Sequence, residues 1–86
     1  MRNIEWTMPA WEEYLSWQKE NKNNFKKINK LIKITIRTPF EGLGKPEPLK
    51  SNYSGYWSRR IDQEHRIVYK VFDEKIVIIS CKGHYE

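Results

Sequence analysis

Three ionisable residues stand out because their side chains could together break a phosphodiester bond: Glu47, Arg66 and His84. A carboxylate can accept the proton of a ribose 2′-hydroxyl, a guanidinium can stabilise the phosphorane charge, and an imidazolium can protonate the departing 5′-oxygen. The three residues are distant in sequence, but the ends of strands meet in space in a small antiparallel sheet. The sequence therefore contains a candidate metal-free site for RNA cleavage, which would leave a 2′,3′-cyclic phosphate and a 5′-hydroxyl.

Metal and cofactor chemistry are less well supported by the residue patterns. Cys81 and His84 form a Cys-x-x-His pair, which supplies two ligands where a structural zinc site usually has four. Cys81 is therefore predicted to be a small core residue, and no metal is expected. The chain also has no nucleophile elbow and no glycine motif that cradles phosphates, so the common hydrolases and nucleotide-binding proteins are excluded and no cofactor is expected.

Length and charge limit the kind of protein that could carry such a site. The chain has 86 residues, 38% of them hydrophobic, which predicts one small domain over residues 1–86 with a thin core. The formal charge of +5 favours a polyanionic partner, although a charge of this size is also usual for a small soluble domain. One cysteine excludes an intramolecular disulfide. Because the chain has neither a long apolar run nor a signal-peptide pattern, we expect a soluble cytoplasmic protein without membrane contact.

The N-terminal part of the chain reads as a short strand followed by two helices. Residues 3–8 alternate between polar and apolar types, which is typical of a strand. A helix over residues 8–20 is predicted by helical spacing, with Thr7 as its cap and Pro9 in its first turn. A second apolar stripe runs from Phe25 to Ile36 and predicts another helix, which ends at Thr38 because the residue before a proline avoids the helical region.

The C-terminal part reads as three strands over residues 56–62, 66–72 and 76–82, after a structured loop over residues 40–48. The short connections between these strands require antiparallel neighbours. In the middle strand Ile67, Tyr69 and Val71 share one face, whereas Arg66 and Lys70 share the other. We predict an α+β domain: an antiparallel sheet of about four strands, with two N-terminal helices packed on one face and charge on the other.

Several segments closely resemble the YoeB (Txe) toxins of the RelE superfamily. They are TPFEG at 38–42, GKPEPLK at 44–50, SGYWSRRI at 54–61 and EHRIVY at 64–69, completed by His84 and Tyr85. The resemblance covers nearly the whole chain, which departs from the common family pattern in having Glu86 after the His-Tyr pair. It implies a RelE-like fold and a toxin that enters the ribosomal A site, cuts the messenger RNA there and is neutralised by a YefM-type antitoxin. It leaves open whether the free toxin forms a homodimer.

Carried over by position, the resemblance implies Glu47 as general base, Arg66 as transition-state stabiliser and His84 as general acid. Tyr85 corresponds to the family's aromatic site residue, which would orient the substrate or stack on it. The basic family positions that are expected to contact the RNA backbone are Lys50, Arg59 and Arg60.

Two other functions remain open at this point. A ParE-like toxin shares the fold but poisons DNA gyrase, and the presence of Glu47, Arg66 and His84 speaks against it. A non-catalytic RNA-binding module would use the basic sheet face to bind RNA without cutting it.

Overall fold

The computed structural model of the protein describes residues 2–83, so the candidate site residues His84 and Tyr85 lie outside the described residues. In chain order the elements are strand β1 (Asn3–Trp6), helix α1 (Met8–Glu20), helix α2 (Lys22–Arg37), strand β2 (Glu47–Pro48), a short 3-10 turn (Ser51–Tyr53), and strands β3 (Tyr56–Arg60), β4 (Arg66–Val71) and β5 (Lys75–Ser80). No helix among the described residues is long and apolar enough to cross a membrane.

Local capping explains where the helices begin and end. The Thr7 hydroxyl accepts a hydrogen bond from the Ala10 N–H at 3.3 Å, as the predicted cap of α1 requires. Asn21 serves both helices, because its backbone N–H donates to Trp17 at the end of α1 and its side chain accepts from the Asn24 N–H at the start of α2. The two helices therefore form a tight hairpin, and the predicted bounds of α1 are confirmed.

The sheet has five strands in the order β1-β5-β4-β3-β2. Neighbours are antiparallel except for β1 and β5, which run parallel. The predicted α+β class is confirmed, but the sheet is mixed rather than antiparallel and has five strands rather than about four. The short turns could fix the direction only of β3, β4 and β5, because both helices and the other three strands lie between β1 and β5 in the chain.

The fifth strand lies in the segment that was predicted to be a structured loop rather than a regular element. Glu47 and Pro48 of β2 pair with Ser58 and Trp57 of β3. A proline is tolerated there because β2 is at the edge of the sheet, where one side of the strand donates no ladder hydrogen bond. Two residues between prolines carry no alternating pattern, so this strand gave no signal of its own in the sequence.

One face of the sheet packs on the helices and forms the core. Ile67, Tyr69 and Ile78 are at most 1% exposed and contact buried residues of the helices such as Ile28 and Leu31. The prediction that Ile67 and Tyr69 belong to the buried face is confirmed. We call the opposite side the outer face of the sheet; by register and alternation it carries Glu47, Ser58, Arg60, Arg66 and Lys70.

Candidate active site

Glu47 lies at the exposed edge of the sheet. It is the first residue of β2, and Pro46 and Pro48 on either side restrict the backbone that carries it. Its Cα pairs with Ser58 of β3, which places its side chain on the outer face. Within residues 2–83 its carboxylate forms no hydrogen bond or ion pair. The carboxylate is therefore accessible and able to accept a proton from a bound molecule.

Arg60 and Arg66 lie directly opposite each other on β3 and β4. Like charges in such a pair are unfavourable unless an anion lies between or above them. Arg66 folds back on its own turn, where Nη1 donates to the carbonyl oxygens of Asp62 at 2.8 Å, His65 at 3.1 Å and Gln63 at 3.2 Å. The guanidinium nitrogens Nε and Nη2 of Arg66 and the whole exposed guanidinium of Arg60 have no partner in the described part of the chain. The pair is thus a ready site for an anion.

The ladder sets the spacing between the carboxylate and the guanidiniums. Glu47 pairs with Ser58, and Ser58 pairs with Val68 of β4, so Glu47 and Arg66 are two strands apart. Two strand spacings are about 10 Å, and the two-residue offset between Val68 and Arg66 adds a shift of about 7 Å along the strand. Both side chains are long enough to reach toward a phosphodiester between them. Lys50, two residues after β2, is exposed, and its side-chain ammonium has no partner within residues 2–83.

Arg59 lies on the other side of the sheet, and its expected contact with the RNA backbone is wrong. The residue is 0% exposed, because it alternates with Ser58 and Arg60 and therefore points toward the helices. Its cross-strand partner is the core residue Ile67. The two-residue period of a strand contained this signal, since two adjacent arginines cannot both face outward.

The buried guanidinium of Arg59 binds the loop that leads to Glu47. Nη1 donates to the carbonyl oxygen of Leu43 at 2.7 Å, and Nη2 donates to that of Glu41 at 2.9 Å and to that of Thr38. Nε donates to the Tyr69 hydroxyl at 3.1 Å. All of these partners are neutral oxygens. Burial raises the pKa of the Tyr69 hydroxyl more than the hydrogen bond from Arg59 lowers it, so this hydroxyl stays neutral. Arg59 holds the loop rather than the substrate.

The chain that follows β5 returns to the start of β4. The Arg66 N–H donates to the carbonyl oxygen of Gly83 at 2.8 Å, and the Gly83 N–H donates to Nδ1 of His65 at 2.8 Å. Gly83, the last described residue, is thus fixed beside Arg66, and His84 is the next residue of the sequence. Nothing in the sequence around His65 indicated a contact with Gly83.

Cys81 is held in the interior just before this point, and its predicted place in the core is confirmed. Its N–H donates to the Glu13 carboxylate at 2.8 Å, and its carbonyl oxygen accepts from Trp17 Nε1 at 2.9 Å. Burial, together with the charge of Glu13, raises the pKa of the Cys81 thiol to about 12, so this thiol is not a nucleophile at neutral pH. Among residues 2–83 there is no group of three or more His, Cys, Asp or Glu side chains that could hold a metal ion.

The turn between β3 and β4 is fixed by Asp62. One carboxylate oxygen accepts from the N–H groups of Glu64 at 2.9 Å and His65 at 2.7 Å, and the other accepts from the Asn24 amide of α2 at 2.9 Å. Burial opposes ionisation of Asp62, but these hydrogen bonds outweigh it and hold its pKa below the usual range. The turn that carries Arg66 is therefore anchored to the helices.

Comparison with known proteins identifies the family. Residues 6–85 match the family model of the YoeB-like toxin of bacterial type II toxin-antitoxin systems. The chain is 59% identical over 80 residues to Toxin YoeB of Escherichia coli strain K12, covering 93% of this chain and 95% of the relative. A YoeB dimer from Staphylococcus aureus superposes with a TM-score of 0.90 at 52% identity, covering 98% of each chain.

A second solved structure shows the same likeness in the presence of another protein. The YoeB-YefM complex from Staphylococcus aureus superposes with a TM-score of 0.88 at 52% identity, covering 99% of each chain. The match to the family model and this identity over nearly the whole length agree with one another. The chain therefore belongs to the family of YoeB-like toxins of bacterial type II toxin–antitoxin systems.

Proposed function

We propose that the protein is a ribosome-dependent endoribonuclease that cuts messenger RNA in the ribosomal A site and so inhibits translation. Glu47 is the general base, Arg66 stabilises the transition state, His84 is the general acid, and Tyr85 orients or stacks on the substrate. The observation that carries the proposal is that Glu47, whose carboxylate has no partner within residues 2–83, shares the outer face with Arg66, whose N–H binds Gly83, the residue before His84.

Each proton of the reaction has a place in this scheme. Glu47 removes the 2′-hydroxyl proton as the oxygen attacks phosphorus, and negative charge develops on the non-bridging oxygens. The unoccupied nitrogens of Arg66 and the guanidinium of Arg60 stabilise that charge. His84 gives a proton to the leaving 5′-oxygen as its bond to phosphorus breaks. The products are a 2′,3′-cyclic phosphate and a 5′-hydroxyl.

The openness of the site supports dependence on the ribosome. Glu47, Lys50 and Arg60 are exposed, so within residues 2–83 these side chains are open to solvent rather than enclosed in a cleft. In-line attack requires a particular backbone geometry, and enforcing such a geometry can supply several kcal/mol of catalysis. A surface that binds the messenger rigidly would supply that geometry, and the basic side chains of Lys50 and Arg60 would dock the protein on phosphates.

The decisive experiment is single-turnover cleavage on programmed ribosomes, read by primer extension and by analysis of the RNA ends. Glu47→Gln and His84→Gln should each slow cleavage by at least about 10²-fold, as loss of a general base or acid typically does. Glu74→Gln, which neutralises an exposed carboxylate in the turn before β5, is the matched control and should cut at the wild-type rate. If either active-site variant cuts at the wild-type rate, that residue has no role in the mechanism. If the wild-type protein binds the message without cutting it, the protein is a non-catalytic RNA-binding module.

We further propose that a YefM-type antitoxin neutralises the toxin and that the free toxin forms a homodimer. The Staphylococcus aureus relatives, solved as a YoeB-YefM complex and as a YoeB dimer, support both partners. The basic outer face suits an acidic antitoxin segment that folds on binding. Co-purification with such an antitoxin should abolish cleavage, and light scattering of the free protein should give twice the 10.5 kDa mass of the chain. Cleavage by the complex or a monomeric mass would contradict the respective partner.

A further inference from the structure

His65 is held in place from several directions. Its N–H donates to the Asp62 carboxylate at 2.7 Å, which fixes the backbone in the turn before β4. Its ring meets the ring of Trp17 edge-on, with centroids 4.8 Å apart and planes at 78°. The side chain is 18% exposed. The ring therefore has little freedom to turn away from its hydrogen-bond partner, the N–H of Gly83.

That partner is the backbone N–H of Gly83, and it determines the tautomer of the histidine. A backbone N–H can only donate, so Nδ1 must offer its lone pair to accept the 2.8 Å hydrogen bond. The neutral ring then carries its proton on Nε2, which lies 3.8 Å from the Glu64 carboxylate. Only this neutral form can hold Gly83, because an imidazolium has no lone pair to accept with.

We propose that His65 is a positioning residue for the cleavage reaction, which holds Gly83, the residue before His84 in the sequence, beside Arg66. The proposal rests on the role of His84 as general acid. Gly83 is bound on both sides, by Nδ1 of His65 through its N–H and by the Arg66 N–H through its carbonyl oxygen. Because Arg66 donates from its backbone, no side-chain substitution at position 66 removes that bond, and His65 supplies the only side chain bound to Gly83 within residues 2–83.

Two substitutions separate hydrogen bonding by His65 from packing by its ring. His65→Asn keeps an acceptor, Oδ1, close to the position of Nδ1 but loses the ring that contacts Trp17. His65→Phe keeps a ring against Trp17 but has no acceptor for Gly83. If the hydrogen bond matters, the phenylalanine variant should lose about tenfold or more of the single-turnover rate on programmed ribosomes, since small displacements of a reacting group have large effects. The asparagine variant should stay within about threefold of the wild type, and both should bind the ribosome with wild-type affinity. Equal rates for the two variants, or a slower asparagine variant, would overturn the proposal.

A measurement on the wild-type protein does not depend on the folding of any variant. The ¹⁵N chemical shifts of the His65 ring should show an unprotonated Nδ1 that accepts a hydrogen bond and a protonated Nε2. The opposite tautomer, with the proton on Nδ1, would overturn the proposal directly.

His84→Gln distinguishes failure of this proposal from failure of the proposed function. If that variant cuts at the wild-type rate, the role of His84 is wrong, and the ring tautomer still tests the contact with Gly83. If His84→Gln is slow but His65→Phe is not, only the positioning role fails. When both are slow, the double variant should be no slower than His84→Gln alone by more than about twofold, because a residue that acts through His84 has nothing left to position.

Discussion

The two segments that lead into the candidate site are held by the core in different ways. The loop before Glu47 is bound mainly through Arg59, whose guanidinium donates to three carbonyl oxygens. The Tyr69 hydroxyl and the Arg60 N–H add one hydrogen bond each, to the carbonyl oxygens of Pro39 and Gly44. The segment from Cys81 to Gly83 is bound through the side chains of several distant residues, each with one hydrogen bond: Glu13, Ser16, Trp17, Glu20 and His65. The loop is held mostly by one charged side chain, whereas the terminal segment is held by several side chains that contribute one hydrogen bond each. A single substitution should therefore release the loop more completely than it releases the terminal segment.

Arg59→Met should give the largest loss of stability. It removes the three hydrogen bonds that the guanidinium donates to the carbonyl oxygens of Thr38, Glu41 and Leu43, and a hydrogen bond from a charged group contributes about 1.5–3 kcal/mol. We expect the free energy of unfolding in urea to fall by at least about 3 kcal/mol. Trp17→Phe, which removes the one side-chain donor to the Cys81 carbonyl oxygen, is the counterpart in the terminal segment and should cost about 1–3 kcal/mol. If Arg59→Met lowers the free energy of unfolding by no more than Trp17→Phe does, the loop does not depend mainly on Arg59.

A matched pair of glycines makes the same comparison through backbone packing. Gly44 in the loop has φ +90°, and an added Cβ would lie 3.0 Å from Leu31 Cδ2 and 3.1 Å from Arg59 Cβ. Gly83 has φ +77°, but a Cβ there would meet nothing within 4 Å. Gly83→Ala should cost about 1–2 kcal/mol from the left-handed backbone alone, and Gly44→Ala should cost about 1–3 kcal/mol more from crowding. Urea unfolding measures both, and equal losses would show that the loop is not tightly packed on the core.

The smallest effect concerns the turn between the two segments. The pKa of Asp62 is lower in the folded protein, so its ionised form stabilises the fold above the unfolded carboxyl pKa of about 3.9. That stabilisation is lost as the pH falls through the folded pKa. Between about pH 5 and pH 3 the stability of the wild type should therefore decline more steeply than that of Asp62→Asn. Unfolding in urea at a series of pH values tests this, and parallel curves for the two proteins would contradict it.

The helices could be predicted because their signals are local. Thr7, Pro9 and Pro39 act on their own neighbours, and the apolar stripe of α2 shows which side is buried. The parallel pairing of β1 with β5 could not be predicted in the same way, since its partners Ile4 and Ile76 are separated by nearly the whole chain. The two-residue strand at Glu47 exists only because β3 is beside it.

The candidate site shows the same division. Residue types alone pointed to Glu47 and Arg66, and the ladder brings both to the outer face; the roles of these residues and of His84 stay predictions until the kinetics are measured. The family resemblance implied an RNA contact for Arg59, but its position between Ser58 and Arg60 on β3 turns its side chain into the core. The contact between His65 and Gly83 had no sequence signal, because the two residues meet through the path of β4 and β5.

The sequence by itself determined the family, the helices, the alternation of β4 and the types of residue that could cleave RNA. These depend on the identity of residues and on the fixed periods of helices and strands. Only the tertiary structure decided that Arg59 holds a loop, that β1 closes the sheet in parallel and that Gly83 lies between His65 and Arg66. Such contacts join distant parts of the chain, and they form only when the burial of the whole core favours one arrangement over the others.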